Sequence, residues 1–177
     1  MSVARILVVG FGNVLTGDDG AGPAVVRRLR ELGLPVEVRA VEAGSDSLIL
    51  PTLWAGEAAI WMVDAVVGGA QPGAVHRLEH DRILKIPQRH ATVHHLSLPE
   101  SLRWIALTYP EMATVRYRLW GIEPASLELG AGLSEPIGRA VDEVAREIRE
   151  DAAHLHHQDS KTPRTRSGRR ADAPEDR

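Results

Sequence analysis

Apolar runs alternate with amphipathic stretches along the chain, and the alternation predicts an order of elements. Ile6-Leu7-Val8-Val9 is unbroken apolar sequence, the pattern of a strand covered by helices on both faces. Val25, Val26, Leu29 and Leu32 then recur at helical spacing, with Arg27, Arg28, Arg30 and Glu31 on the opposite face. The stretch from Val36 to Val41 alternates like a strand and closes at Glu42-Ala43-Gly44-Ser45. Asp46 or Ser45 can cap a short helix from Ser47 to Trp54, distorted by Pro51. Ala58 to Val63 is a second buried strand and runs straight into Asp64. After the turn signal Pro72-Gly73, Ala74 to Glu79 reads as an edge strand, antiparallel to the others. A helical pattern from Ser97 or Pro99 to Tyr109, a strand from Val115 to Ile122 and a final helix opening at Ser134-Glu135-Pro136 complete the series. Ile137, Val141, Val144 and Ile148 form the apolar stripe of that last helix. Trp54, Trp61, Trp104 and Trp120 all sit in apolar segments and are assigned to the core.

This order predicts an α/β fold, a three-layer sandwich in which a twisted, mostly parallel sheet of about five strands lies between helices. Residues 1–157 are expected to form one domain. From Gln158 to Arg177 apolar residues nearly vanish and Lys, Arg, Asp, Ser and Pro dominate, so this tail is expected to be disordered. The whole chain has 177 residues, 44% of them hydrophobic, which suits a single core without requiring a second domain. A formal net charge of -3 gives no general attraction to nucleic acid or to an anionic membrane. Cysteine is absent, which removes disulfides, thiolate metal sites and a cysteine nucleophile. The first strand begins almost at the N-terminus and no apolar run reaches membrane-spanning length, so the expectation is a cytoplasmic protein, monomeric given its size.

The candidate chemistry gathers where the first strand meets the first helix, in Gly10-Phe11-Gly12-Asn13-Val14-Leu15-Thr16-Gly17-Asp18-Asp19-Gly20-Ala21-Gly22-Pro23. Glycines here permit a tight turn and close backbone approach. Gly10-x-Gly12 after a strand is a partial dinucleotide fingerprint, but the close third glycine is missing. A phosphate-binding loop would end in Gly-Lys-Ser/Thr; Gly17-Asp18-Asp19 occupies that place, and two carboxylates suit a cation better than a phosphate. Asp19 and Asp64 both fall just beyond carboxyl ends of strands, where open α/β sheets bind their ligands, so the two can meet. His94, in the loop before a helix, is the nitrogen best placed to join them, with His95 and His90 as substitutes. Two carboxylates and an imidazole leave positions open for water or substrate and do not by themselves select one divalent metal. Each acid also has a plainer reading, as a helix cap or a satisfied strand-end group, and Asp18 is assigned to holding the turn.

Gly10-x-Gly12-Asn13 with Gly17-Asp18-Asp19-Gly20-x-Gly22, Val63-Asp64-Ala65, Thr92-Val93-His94-His95-Leu96 and Trp120-Gly121-Ile122-Glu123-Pro124 resemble the nickel-iron hydrogenase maturation proteases over about Arg5 to Arg149. The resemblance implies an endopeptidase that removes a C-terminal extension from the precursor of a hydrogenase large subunit, its partner, after nickel insertion. It further implies that Asp19, Asp64 and His94 are metal ligands, that Asp19 and Asp64 take part in catalysis, and that the nickel ion arrives with the substrate. Some family members carry glutamate where this chain has Asp19. Gly44 and Ser45, at the carboxyl end of the second strand, are assigned to a peptide groove. Two other classes compete: a nucleotide-binding module resting on Gly10-x-Gly12, and a non-proteolytic chaperone that senses nickel in the precursor. Neither a Gly-x-Ser-x-Gly elbow nor a His-Glu-x-x-His helix is present, so serine-hydrolase and zinc-helix readings have no support.

Overall fold

The computed structural model describes residues 5–86 and 97–159, with side chains described as far as Leu155. Five strands, β1 (Ile6–Phe11), β2 (Val38–Gly44), β3 (Ala59–Ala65), β4 (Val75–Glu79) and β5 (Arg116–Ile122), form one sheet in the order β2-β1-β3-β5-β4. Neighbours are parallel except β4, which pairs antiparallel with β5 at the edge. The sheet class and the antiparallel edge are as the sequence pattern predicts.

The unbroken apolar runs are strands buried on both faces, and successive residues feed different layers. Ile6, Val8, Trp61, Val63, Trp120 and Ile122 pack against α1 (Ala21–Leu32) and α5 (Glu135–Asp159). Leu7, Val9, Ile60, Met62, Tyr117 and Leu119 face the other way, against Leu50 of α2 (Leu50–Leu53), Ile83 of α3 (His80–Leu84) and Leu102 and Ile105 of α4 (Leu98–Thr108). The predicted stripe Ile137, Val141, Val144 and Ile148 is buried throughout. Arg118, at a position that faces α5, stacks on both buried indoles, 5.1 Å from the Trp61 ring and 4.7 Å from the Trp120 ring, and pairs with Glu79 and Asp151 at 2.8 Å.

Several boundaries move. The second strand starts at Val38 and continues to Gly44, because Pro35 accepts a bond from the Val38 amide and closes a turn there. The helix expected over Ser47 to Trp54 divides into a 3-10 turn, Ser47–Ile49, and the one-turn α2, with Pro51 at the junction. Asp46 caps it, accepting from the Leu48 amide at 2.9 Å. Ser97 starts α4 as a capping box with Glu100. Trp61 and Trp120 are core and Trp54 is partly buried, but Trp104 is 44% exposed: it lies on the outer side of α4, edge-on to Tyr109. The short α3 follows β4 without a sequence signal strong enough to predict it. The boundary at residue 157 falls two residues before the end of α5, and the predicted tail beyond it lies outside the described residues apart from that helix end. No helix among the described residues is long and apolar enough to cross a membrane.

The chain leaves β1, crosses through α1 to β2 on one side, then returns past β1 to β3 on the other. The loops leaving β1 and β3 therefore diverge to opposite sides and open a crevice between them, the place where such sheets bind ligands.

Candidate active site

The first acid is held by the turn that the glycines permit. β1 ends at Phe11, and a 3-10 turn, Gly17–Gly20, delivers the chain into α1. That path brings the backbones of β1 and α1 into direct contact. A Cβ on Gly22 would lie 2.2 Å from the Phe11 carbonyl oxygen, and one on Gly10 would lie 2.3 Å from the Gly22 carbonyl oxygen. Asp19 sits half-buried in the turn, its Oδ2 accepting from the Asn13 amide at 2.7 Å, while Asn13 Oδ1 accepts from the Leu15 amide at 3.0 Å. Asp19 Oδ1 has no hydrogen-bond partner among the described residues.

The second acid comes from the penultimate residue of β3, in register with Gly121 of β5. Asp64 follows five strand residues that are buried or nearly so. Burial pushes its carboxyl up to about 7; a backbone hydrogen bond from Ala65 opposes the shift, and the negative charge of Asp19 adds to it. The two predicted acids thus share one electrostatic environment at the crevice. Mutual repulsion between them is relieved by a proton or by a cation, and two carboxylates with an unpartnered oxygen are hard donors suited to a divalent ion. Among the described residues no third His, Cys, Asp or Glu completes a metal-binding group. His94, predicted as the third ligand, and its substitutes His90 and His95 lie outside the described residues.

Gly44 and Ser45 are exposed at the end of β2 and line an open groove of about 400 Å³ with Gly12, Asn13, Val14, Pro23, Arg27 and Glu42. The groove begins at the Asn13 loop that holds Asp19. Glu42 is the acid a dinucleotide reading would assign to a ribose, but both its oxygens are engaged, by Arg27 at 2.8 Å and Arg30 at 3.0 Å. Exposed apolar residues gather on the same edge: Val14 and Leu15 after β1, Val67 after β3, Leu127 and Leu129 after β5. Thr16 bridges to Leu129, so the first and last of these loops touch.

Two buried carboxylates stand behind the pair. Asp18, assigned from sequence to the turn, is 1% exposed and accepts four hydrogen bonds from Ala125, Ser126 and Ser134. Burial alone would raise its pKa, and these bonds, led by the Ser134 amide, bring it below the usual carboxylate value. Glu123, directly after β5, accepts from the Gly68 and Gly69 amides and from His76, and is pulled down to about 2, first by His76 and then by the backbone amides, against its burial. Sequence reading names Glu123 only as the exit of the last strand. The signal was available, since an acid directly after Leu119-Trp120-Gly121-Ile122 is the same pattern that singles out Asp64.

A family profile described as hydrogenase maturation protease matches residues 23–151, starting just after the glycine-rich loop. A protein of Methanocaldococcus jannaschii named as a hydrogenase maturation protease is 32% identical over 146 residues, covering 81% of this chain and 94% of its own. The hydrogenase 2 maturation protease of Escherichia coli is 26% identical over 148 residues, covering 81% and 88%. Among solved structures, the hydrogenase maturating endopeptidase HybD from Escherichia coli superposes with a TM-score of 0.70 at 25% identity, covering 87% of this chain and 93% of that one. The NiFe hydrogenase maturation protease HycI from Thermococcus kodakarensis gives 0.69 at 27% identity, covering 85% and 93%.

Proposed function

Since the chain belongs to the hydrogenase maturation protease family, we propose that it is the endopeptidase that removes the C-terminal extension of a nickel-loaded hydrogenase large-subunit precursor. The observation that carries this reading is the electrostatic coupling of Asp19 and Asp64 across the crevice between β1 and β3. The precursor brings the nickel, and Asp19, Asp64 and His94 complete its coordination. Bound there, the nickel supplies Lewis-acid polarisation of the scissile carbonyl and acidifies a water. The chain's own part is to orient and to move a proton. Asp19 is aimed by Asn13, and Asp64 takes the proton of the attacking water and returns it to the leaving amine. Gly44 and Ser45 line the path of the extended peptide beside Asn13, and the apolar rim formed by Leu15, Val67 and Leu129 suits a polypeptide substrate better than a small polar one. The protein acts as a monomer in the cytoplasm, on protein alone.

The test is incubation with nickel-loaded precursor followed by intact-mass measurement. A shortened large subunit is expected, and none from nickel-free precursor. Asp19→Ala and Asp64→Asn are each expected to slow cleavage by about 100-fold or more. Intact precursor after incubation of the loaded form would overturn the protease reading.

A further inference from the structure

The loop that follows Asp64 and the segment after β5 that lies against the Asp19 turn bury few apolar side chains. Gly68, Gly69 and Ala70 are exposed, as are Val67, Leu127 and Leu129. Hydrophobic burial cannot fix segments of this kind, so their shape depends on their polar anchors.

Two anchors meet in one segment. Asp18 Oδ1 accepts from the Ser134 amide at 2.7 Å, and Oδ2 from the Ala125 amide at 2.8 Å, the Ser126 amide at 2.9 Å and the Ser134 hydroxyl at 2.9 Å. The Asp18 amide donates back to the Ser126 carbonyl at 2.9 Å, and the Gly130 amide donates to Leu15 at 2.8 Å. At the other end of that segment, Glu123 Oε1 accepts from the Gly68 amide at 3.0 Å and the Gly69 amide at 2.9 Å. Its Oε2 accepts from the Gly68 amide at 2.9 Å and lies 3.0 Å from His76 Nε2. The Glu123 backbone is pinned as well, by Gly73 at 2.8 Å and Ala74 at 2.9 Å. Consecutive amides closing on one carboxylate form an anion nest, here filled by the protein's own side chain. Charge-assisted bonds are about twice as strong as neutral ones, and apart from those of His76 and the Ser134 hydroxyl the donors to the two carboxylates are loop backbone amides.

We propose that Asp18 and Glu123 are positioning residues for the acid pair, and that residues 123–134 form one brace tying the Asp19 turn to the loop leaving β3. Asp18 and Asp19 share a single 3-10 turn, so a rotation that frees one displaces the other. Glu123 fixes the loop that starts two residues after Asp64. The brace is the only described segment that grips both loops through buried carboxylates, and a misplacement of about 1 Å at a reacting group costs about 100-fold in rate. Its part in catalysis rests on the protease reading given above; its part in holding the loops does not.

The test uses the full chain with Asp18→Asn, Glu123→Gln and the double variant. Each keeps the side-chain size but turns an acceptor into a donor facing amide donors. Below the melting temperature of every variant, each single substitution is expected to lower kcat for nickel-loaded precursor by about tenfold or more, with KM within about twofold. The double variant is expected to fall well short of the product, because either change releases the same brace. Multiplying effects, or an unchanged kcat, would overturn the proposal. Amide hydrogen exchange gives a readout that needs no cleavage. The Asn13 amide, bonded to Asp19, should lose about tenfold protection in both single variants while the Val9 and Met62 amides keep theirs. Full protection of Asn13 in either variant refutes the brace even if the wild-type protein cleaves nothing. Should Asp18→Asn not fold, Ser134→Ala removes one of the four bonds and is expected to show the same Asn13 signal, reduced in size; no Asn13 change in it also counts against the brace.

Discussion

Asp64 carries a measurable signature in the isolated protein. Its carboxyl is held near 7 when folded and titrates near 3.8 when unfolded. Below about pH 3 both states bind the proton and the residue has almost no effect on stability. As pH rises from there towards 7 the unfolded chain ionises first, so the folded state loses stability, and above 7 the loss is constant. Asp64→Asn removes that penalty. Discounted for the solvent that reaches the half-buried group, the gain is on the order of 2 kcal/mol at pH 8 and all but vanishes at about pH 3. Urea denaturation of the metal-free protein at the two pH values measures it. An equal effect at both would mean that the burial of this charge is not what shapes the site. Asp18 and Glu123 show the opposite sign: their lowered values stabilise the fold above pH 4 and the benefit fades as acid titrates them.

Among the elements, the β1-to-α1 crossing and the β5-to-α5 interface are the most exacting. Gly22→Ala would place a methyl 2.2 Å from the Phe11 carbonyl and 2.6 Å from the Val63 carbonyl. Backbone on both sides cannot retreat without parting β1 from β3, so a loss of about 3 kcal/mol or more is expected in thermal or chemical unfolding. Gly138→Ala, in α5 with open space around it, is the control and should be neutral or mildly stabilising. At the second interface Arg118 lies over both buried indoles and holds Glu79 and Asp151. Arg118→Ala is expected to cost about 1–2 kcal/mol by the same measurement, through lost ring contact more than through its surface ion pairs.

For the molecule as a whole, the residues on the loops at the sheet's carboxyl edge, and not the sheet itself, argue against a nucleotide-binding protein. A dinucleotide needs a free acid at the end of β2 and a third close glycine. Here Glu42 is closed off by Arg27 and Arg30, and the loop carries Asp18 and Asp19 where a phosphate would sit. Calorimetric titration with NAD is expected to show no saturable heat; saturation at micromolar ligand would return the nucleotide reading to first place. On the proposed reading recognition and timing are a single event, because the substrate's nickel would supply the positive charge that Asp19 and Asp64 lack.

Much of this was legible along the chain. Buried strands announce themselves as unbroken apolar runs, since both faces must leave water, and so Ile6 to Val9 and Ala58 to Val63 were legible as central strands, the second with Asp64 directly at its end, while Val115 to Ile122, interrupted by Arg116 and Arg118, was legible from its β-branched, aromatic and aliphatic positions. The Ser97 capping box and the α5 stripe are likewise local physics. What the sequence could not settle was anything created by partners distant in the chain. Whether Asp19 and Asp64 meet depends on the reversal of strand order between β1 and β3. Whether Trp104 is buried depends on which face of α4 is turned to the sheet. The roles of Asp18 and Glu123 exist only because loops more than fifty residues away supply their hydrogen-bond donors. A residue's type and local pattern fix what it can bond to; only the folded path of the backbone decides what comes within 3 Å of it.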